Sequence, residues 1–479
     1  RKTRLEKLEK LQKAGIDPYP ARSSRTHKIS EALIDFDNLA VKEVEVILVG
    51  RVMAKRGQGG LAFVDINDGS GQIQWLFKKD KMDNGGYDFF LETVDIGDFI
   101  EAGGILFKTK KEERTLEVHA YKLLTKSLLP LPEKWHGLQD TEERYRKRYL
   151  DLIFNPEVRA KFETRSRIIK TLRSFMNNEG FLEVVTPTLQ PLYGGASARP
   201  FKTHMHDLDI DLYLRIAPEL YLKRLLVGGF DRVFEFTTNF RNEGMDRDHN
   251  PEFSVLEFYA AYQDLEWLMK FTEKIFESLL TEVFGKAAIT CEDMEIDFAG
   301  PFRRNKFSEL LKEHCGVDYE TDSEDDFEKA ARKLDIKIEK AANKPILADE
   351  LLKKVIRPKL IEPTFVTDWP AEILPLAKRK DDSPFVDAFQ FFAGGHELIK
   401  AFQELNDPVD QRERFQAQEK RRAKGDEEAQ RMDEDFIEAL EYGMPPAAGW
   451  GLGIDRLVAL LTNSHSIREV IFFPLMRPK

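Results

Sequence analysis

With 479 residues the chain is long enough for two or three domains with full cores, and 42% hydrophobic against 33% charged residues is the composition of a globular protein with a charged surface. A net charge of −11 argues against a protein that coats nucleic acid in bulk, while leaving room for local basic patches on RNA phosphates. Cys291 and Cys315 are too few for a disulfide framework or a cysteine zinc site; no apolar run reaches membrane-spanning length and no signal-peptide pattern opens the chain, so the cytoplasm is the expected compartment.

Residues 1–43 form a lead-in whose Leu5, Leu8 and Leu11 sit at near-helical spacing among basic residues, which predicts an amphipathic helix that either packs on the next domain or touches RNA. From 44 to 128 the pattern is one of short β runs broken by Gly and Asp turns, which predicts a five-stranded oligonucleotide-binding (OB) barrel. Phe63 and Gln74 fall on neighbouring runs, where an aromatic platform and an amide can read an unstacked base, and Arg51 can hold a phosphate or stack. Phe63 as a plain core residue is the competing reading, and the sequence alone does not separate the two. Residues 129–152 are a proline-containing linker, with PLPEKWHGLQDTEERYRKRYLDL from Pro130 to Leu152, and the domain boundary is expected within it.

The second domain, 153–479, opens with helical spacing from Asn155 to Asn178 through Val158, Phe162, Ile168, Ile169, Leu172 and Phe175, then a strand in GFLEVVTPTLQP that runs into Pro187. The loop from Tyr193 to Phe201 has glycines that let backbone approach a ligand, or it is a surface turn. Glu219 follows Pro218 at a helix start, where a carboxylate ordinarily only complements the dipole. Val233–Arg241 and Phe253–Tyr262 are two β runs around a polar segment, Asn242–Asn250, and predict a hairpin. By alternation Arg241 and Glu243 share one face of the first run, and Glu257 and Tyr259 one face of the second. The opposite face is apolar, so the polar face is expected to line a cleft rather than to be solvated by surface ion pairs.

Further on, a helical insertion at about 303–362, with a cap at Ser323, carries no assignable chemistry. In FFAGGHELIKAFQELNDP, Glu397 and Glu404 are seven apart: one face of a helix, opposite faces of a single regular strand. Val409–Glu441 reads as a charged, solvent-facing helical stretch. Gly443–Pro478 has a glycine-rich turn feeding a helix that turns Ile454, Leu457, Leu460 and Leu461 inward, and its GLGIDR run lacks the third glycine of a dinucleotide fingerprint.

FRNEG, HNPEF and LEFYAAY together resemble motif 2 of the class II aminoacyl-tRNA synthetases in the form used by the lysyl enzymes. The helix, strand and Pro187 resemble motif 1, the GLGIDR region resembles motif 3, and GLAFVDINDGSGQIQ resembles the anticodon-binding barrel of subclass IIb. The resemblance implies an α+β chain: an OB-fold barrel followed by a catalytic domain built on an antiparallel sheet flanked by helices, forming a homodimer. It implies activation of L-lysine with ATP to lysyl-adenylate and pyrophosphate, then transfer of lysine to the 3′ end of tRNA(Lys).

Carried over residue by residue, it puts Arg241 and Arg456 in catalysis, and Gly195, Glu219, Arg241, Glu257, Tyr259 and Asn406 on lysine. ATP falls to Arg241, Glu243, His249, Asn250, Phe253, Glu397, Glu404, Gly453 and Arg456, a shared Mg²⁺ to Glu397 and Glu404, and the anticodon to Arg51, Phe63, Gln74 and Glu117. Charge stabilisation by guanidinium groups, rather than a nucleophile, is what joining a carboxylate to a phosphate requires, and His249 is expected to border ATP without transferring a proton. Gln390 stands where the family usually has Glu, and Lys400 where it has Asn. An aspartyl or asparaginyl relative wants a different side-chain pocket, and an RNA-binding relative without chemistry has no need of Arg241, Glu397, Glu404 and Arg456 together.

Overall fold

The computed structural model describes the whole chain except residues 83–84, 133–137, 139, 337–342, 381–382, 424, 426–427 and 479, and leaves the side chain at 58 undescribed. The linker segment 133–137, with 139, therefore lies outside the described residues, as do 337–342 of the insertion. Two compact units result, Arg1–Phe154 and Asn155–Lys479.

In the first unit, β1 (Glu45–Gln58), β2 (Leu61–Asn67), β3 (Gln72–Lys78), β4 (Phe99–Lys108) and β5 (Arg114–Thr125) close into a barrel in the order β1-β2-β3-β5-β4. Alternation fills it: Val64, Ile66, Trp75, Phe77, Leu116 and Val118 point inward and are buried. The basic helix Lys2–Lys13 spends its charge on the barrel, since Arg4 donates to the Ile96 carbonyl at 2.8 Å and Lys7 pairs with Asp95 at 2.6 Å. Beneath it the fully buried Lys126 ammonium bridges Asp95 at 2.6 Å and Asp98 at 2.7 Å. Packing, of the two expectations for this helix, is what these contacts show.

The second unit is built on an eight-stranded sheet. Its strands are β6 (Leu182–Glu183), β10 (Arg232–Phe240), β11 (Glu252–Ala261), β14 (Arg303–Lys306), β15 (Thr364–Pro370), β16 (Phe385–Ala393), β17 (His396–Gln403) and β18 (Ala447–Gly453). They lie in the order β14-β15-β16-β17-β18-β11-β10-β6. All pairs are antiparallel except the two at the edges, β6 on β10 and β14 on β15, which run parallel. Strands β7 (Leu189–Gln190), β8 (Lys202–Met205) and β9 (Ile210–Leu214) form a separate small sheet, and β12 (Ala288–Cys291) and β13 (Met294–Asp297) a hairpin. The expected single strand around Pro187 is thus two two-residue strands with the proline between them, as a residue without an amide donor dictates.

One face of the large sheet is covered by the helices Pro156–Asn178 and Leu265–Phe284, against which Leu256, Phe258, Trp450 and Leu452 are buried. Trp450 stacks on Phe258 at 4.9 Å and gives its indole N–H to Thr272 at 3.0 Å. The insertion supplies helices Phe307–Cys315, Glu324–Lys333 and Lys344–Leu351 around a core of its own. The stretch expected to face solvent does not do so throughout: helix Pro408–Ala423 buries Gln411, Arg414, Phe415 and Gln418. Arg414 is held because its guanidinium pairs with Asp410 at 2.7 Å and donates to the Ala377 carbonyl at 2.6 Å. Among the described residues no helix is long and apolar enough to cross a membrane.

Candidate active site

The other face of the large sheet, onto which the helix Glu219–Val227 packs, is polar along β10 and β11 because alternation makes it so. Leu256 and Phe258 turn towards the helices, which sends Glu257 and Tyr259 of β11 and, on β10, Glu235, Thr237 and Asn239 to the other side. Beside β11 runs β18, where Gly449 lies opposite Tyr259 and Gly451 opposite Glu257. A side chain at 449 would come within 2.6 Å of Tyr259 Cε1 and nearer still to Glu404 Oε1, so this glycine is the floor that lets those two groups meet. At Gly453 the nearest atoms are 3.8–3.9 Å away, an ordinary contact.

At one end of this floor are cations. Arg456, on the helix Ile454–Leu461, donates to the Glu397 carbonyl at 3.1 Å and stands 3.7 Å from its carboxylate, while its other amino group meets His249 Nε2 at 3.1 Å. Arginine only donates, so Nε2 accepts and the imidazole proton sits on Nδ1, facing Asp246 at 2.8 Å. His249 is thereby used for orientation and has no free lone pair for proton transfer. The Arg241 guanidinium lies 5.0 Å over the Phe253 ring, and its Nε has no acceptor among the described residues. Burial lowers the Arg241 pKa without threatening its charge. Glu397 is held below the ordinary carboxylate range: burial works against this, but Lys400, Arg456, Lys353 and Arg357 outweigh it. Lys353 and Arg357 come from the insertion, to which the sequence had assigned no chemistry, and Lys400 stands 3.7 Å from Glu397. Asn250 donates to the Glu252 carbonyl at 2.6 Å with its oxygen buried and unpartnered among the described residues, and Glu243 is exposed.

At the other end are carboxylates. Glu219 begins the helix Glu219–Val227, and one turn on, the fully buried Lys223 ammonium pairs with it at 2.6 Å and also with Glu404. Burial alone would lower the Lys223 pKa; the two carboxylates more than reverse that. Glu257 is pushed up to about 8 by burial and by the Glu219 charge, with Arg241 opposing. Burial, then Glu219 and Glu257 among its neighbours, also raises Glu404 well above its ordinary range against the pull of Lys223, and the Tyr259 hydroxyl is raised likewise. Gly195 has φ +86, and a Cβ there would sit 2.9 Å from that of Glu219, so the loop presses its backbone on this end. Asn406 is tied outside it, accepting from Lys378 at 3.1 Å and donating to the Met444 carbonyl at 3.3 Å.

Glu397 and Glu404 are therefore not brought together. Both belong to one continuous run, β17 and the residue after it, where a bulge at Leu398 shifts the register: Phe391 pairs with Ile399 but Phe392 with Glu397. The bulge explains why Glu397 reaches Lys400's side of the sheet. The bulge takes up about one residue's rise, and at about 3.3 Å per residue the two backbone positions are still about 20 Å apart. One ion with ligand distances near about 2.1 Å cannot join them. The shared Mg²⁺ site expected from the sequence is a correction on this ground, and no group of three His, Cys, Asp or Glu poised for a metal occurs among the described residues.

On the barrel, Phe63, Gln74 and Glu117 lie on its outer face: Phe63 pairs with Leu76, Gln74 with Asp65 and Thr115, and Glu117 with Leu76. Phe63 is half-buried and outside the barrel core, which removes the reading of it as a core residue. Lys78 pairs with Glu117 and lies 6.0 Å over Phe107, an aromatic the sequence reading passed over. Arg51 sits further along β1, opposite Asn67 rather than Phe63, with its guanidinium 4.2 Å from the Phe99 ring and donating to the Gly97 carbonyl at 3.1 Å.

Residues 140–477 match the family model described as tRNA synthetases class II (D, K and N), and residues 46–124 match that of the OB-fold nucleic acid binding domain. The chain belongs to the class II tRNA synthetases. Within them it falls among the lysine–tRNA ligases. It is 49% identical to the lysine–tRNA ligase of Pelotomaculum thermopropionicum over all of this chain and 95% of the relative. To those of Carboxydothermus hydrogenoformans and Moorella thermoacetica it is 50% identical, over 100% and 99% of this chain and 98% and 97% of theirs. Of the synthetase residues that sequence reasoning missed, Lys223 carried a signal in its i+4 spacing from Glu219 and Asn239 one in its two-residue spacing from Arg241. Lys353 and Arg357 carried none, because only the fold brings the insertion to Glu397.

Proposed function

We propose that this lysine–tRNA ligase binds lysine lengthwise along the floor, its carboxylate on Arg241 and its side chain running past Glu257 towards Tyr259, with ATP across the cationic end. The carrying observation is the separation of charge: an unpartnered Arg241 Nε and a set of cations at one end, buried carboxylates at the other. A lysine zwitterion with a second ammonium fits that order, and a neutral or acidic side chain leaves buried carboxylates unpaired. Glu219 and Gly195 are the groups placed for the α-ammonium.

The reaction joins the lysine carboxylate to the α-phosphate and expels pyrophosphate. Arg241 is suited to hold both oxyanions at once, and its buried, stacked guanidinium needs little reorganisation as charge builds. Arg456, oriented by His249 and by the Glu397 carbonyl, is suited to the outer phosphates, and Phe253 to the adenine. Magnesium enters as the companion of ATP. Glu397, buried among the cations at that end, is a carboxylate suited to touch it, and no step of the chemistry above depends on it. Transfer of lysine to the 3′ end of tRNA(Lys) follows, with Phe63 and Gln74 suited to stack and read anticodon bases. Exposed Leu182, Val185 and Leu189, Val185 at 90% exposure, support a homodimer through this edge, in a cytoplasmic enzyme.

ATP–pyrophosphate exchange with each amino acid in turn tests the reading. Exchange with lysine alone is expected. Exchange driven by aspartate or asparagine, or by none, overturns it.

A further inference from the structure

The two residues that depart from the lysyl pattern, Gln390 and Lys400, are neighbours in the fold. Gln390 of β16 and Lys400 of β17 lie directly opposite one another in the antiparallel ladder, so their side chains share a face. One departure removes a negative charge where Glu is usual, and the other adds a positive charge where Asn is usual. Together they move one spot by two charge units in the same direction, which is the charge of one divalent cation. Gln390 is buried at 2% exposure, where an amide is held at less cost than a carboxylate.

Lys400 is placed to use its charge on a ligand. β17 is an interior strand, bonded to β16 on one side and β18 on the other, yet Lys400 is exposed while Leu398, Ile399 and Ala401 around it are buried. The opening is towards the cleft, because its neighbour on β18 is Gly451, without a side chain, and the next residue across is Glu257. Two strand spacings of about 4.8 Å separate Lys400 from Glu257, which puts Lys400 at the inner border of the cationic end. Its ion pair with Glu397 is loose, 3.7 Å with the Lys400 side chain half exposed, and such a pair is given up at small cost. Arg456, by comparison, is fixed by His249 and the Glu397 carbonyl, and Lys353 is held by Asp349 at 2.6 Å. Of these three cations Lys400 is the one best able to swing onto an incoming anion.

We infer that the Lys400 ammonium binds an ATP phosphate beside Glu397 and supplies, from the protein itself, part of the positive charge that a divalent ion brings to the nucleotide. A lysine ammonium is a compact point charge with three donors, suited to phosphate oxygens. The amide at Gln390 works in the same direction, since Mg²⁺ on a nucleotide is held by carboxylates together with phosphate oxygens and this position offers no carboxylate. ATP binding should therefore depend less on magnesium here than with Glu and Asn at the two positions. The inference rests on the reading of the cationic end as the ATP site, and adds to it a phosphate-binding lysine with a neutral partner.

The test reads ATP binding rather than turnover. ATP is titrated calorimetrically into the full chain, without lysine, once in EDTA and once in excess Mg²⁺. Lys400→Asn is expected to weaken ATP about ten- to a hundredfold in EDTA, the loss of a charge-assisted hydrogen bond, and by clearly less in Mg²⁺. Lys400→Arg, which keeps the charge, should restore most of the affinity in EDTA. Gln390→Glu should widen the gap between the two conditions, and combining it with Lys400→Asn should widen it most. Should Lys400→Asn not fold, Lys400→Gln, which keeps most of the side chain, takes its place. Equal losses in EDTA and Mg²⁺, with Lys400→Arg no better than Lys400→Asn, overturn the proposal in favour of a structural role. Parent-like ATP affinity in EDTA together with a raised lysine KM in exchange overturns it in favour of a contact with the amino acid. A parent that binds ATP in Mg²⁺ but not at all in EDTA overturns it too, whereas a parent that binds ATP in neither condition strikes the reading of the cationic end itself.

Discussion

Replacing Gly449 by alanine puts a methyl group 2.6 Å from Tyr259 Cε1 and 2.9 Å from its Cδ1, and closer still to Glu404 Oε1. The backbone is no obstacle, because Gly449 lies in β18 and is not among the positive-φ glycines. The whole cost is steric and falls on a buried ring and a buried carboxylate, and overpacking of this kind costs about 1–3 kcal/mol. If the strain is relieved by displacing Tyr259 and Glu404, at about 1.4 kcal/mol per tenfold it raises the lysine KM roughly five- to a hundredfold. ATP–pyrophosphate exchange, with lysine and ATP varied separately, should show the loss in the lysine KM and little change in that for ATP. Gly453→Ala is the comparison, as its added methyl meets only ordinary contacts at 3.8–3.9 Å and any effect there should fall on ATP. A parent-like lysine KM in Gly449→Ala, or an equal lysine defect in Gly453→Ala, would refute the view that this glycine is the floor of the lysine chamber.

Glu257 has a folded pKa of about 8 against an ordinary 4.5, so the folded protein holds a proton that the unfolded chain has lost between those values. Stability of the lysine-free protein should therefore fall as pH rises from about 4.5 to about 8, and saturating lysine should flatten the decline; a thermal melt series with and without lysine reads it, and a lysine-independent slope would count against Glu257 as a binding group. Lysine affinity itself should rise by up to about tenfold per unit towards pH 8 and level off before the substrate ammonium titrates near about 10.4. Phe63→Ala should weaken tRNA charging by about 1–3 kcal/mol, read as the tRNA KM, while leaving lysine-dependent exchange as it was. Lys126→Met strands Asp98 in the barrel and should cost about 3–5 kcal/mol in urea unfolding monitored through the barrel's Trp75, with exchange activity unaffected.

The sheet and the barrel were legible because their signals are local. Alternation alone assigned Glu257 and Tyr259 to one face, and the observed strands Arg232–Phe240 and Glu252–Ala261 differ from the expected runs by a residue at each end. Arg241, Arg456 and His249 were legible through motif resemblance, and the structure brings them to one end. Lost to the sequence were features that depend on distant chain segments or on one irregular residue. The insertion's Lys353 and Arg357 reach Glu397 only through the fold, and helix Pro408–Ala423 looks solvated until Asp410 and the Ala377 carbonyl are seen to take up Arg414. The shared metal site failed for a different reason: seven residues on a helix would have brought two carboxylates together, and seven on a strand keep them apart.

That spacing is what a lysine-activating site needs. ATP and the carboxylate to be adenylated demand positive charge at one place, and an ammonium-bearing side chain demands negative charge further along the floor. Were the two sets adjacent, Arg456 and Lys400 would pair with Glu257 and Glu404, and both substrates would have to compete with internal ion pairs. Running both along one extended strand keeps them separate without any intervening domain. The bulge at Leu398 then turns Glu397 to the same side as Lys400, among the cations, while Lys223 pairs with Glu219 and Glu404 at the far end. Each end thus has buried ion pairs of its own, Glu397 among cations and Lys223 between carboxylates.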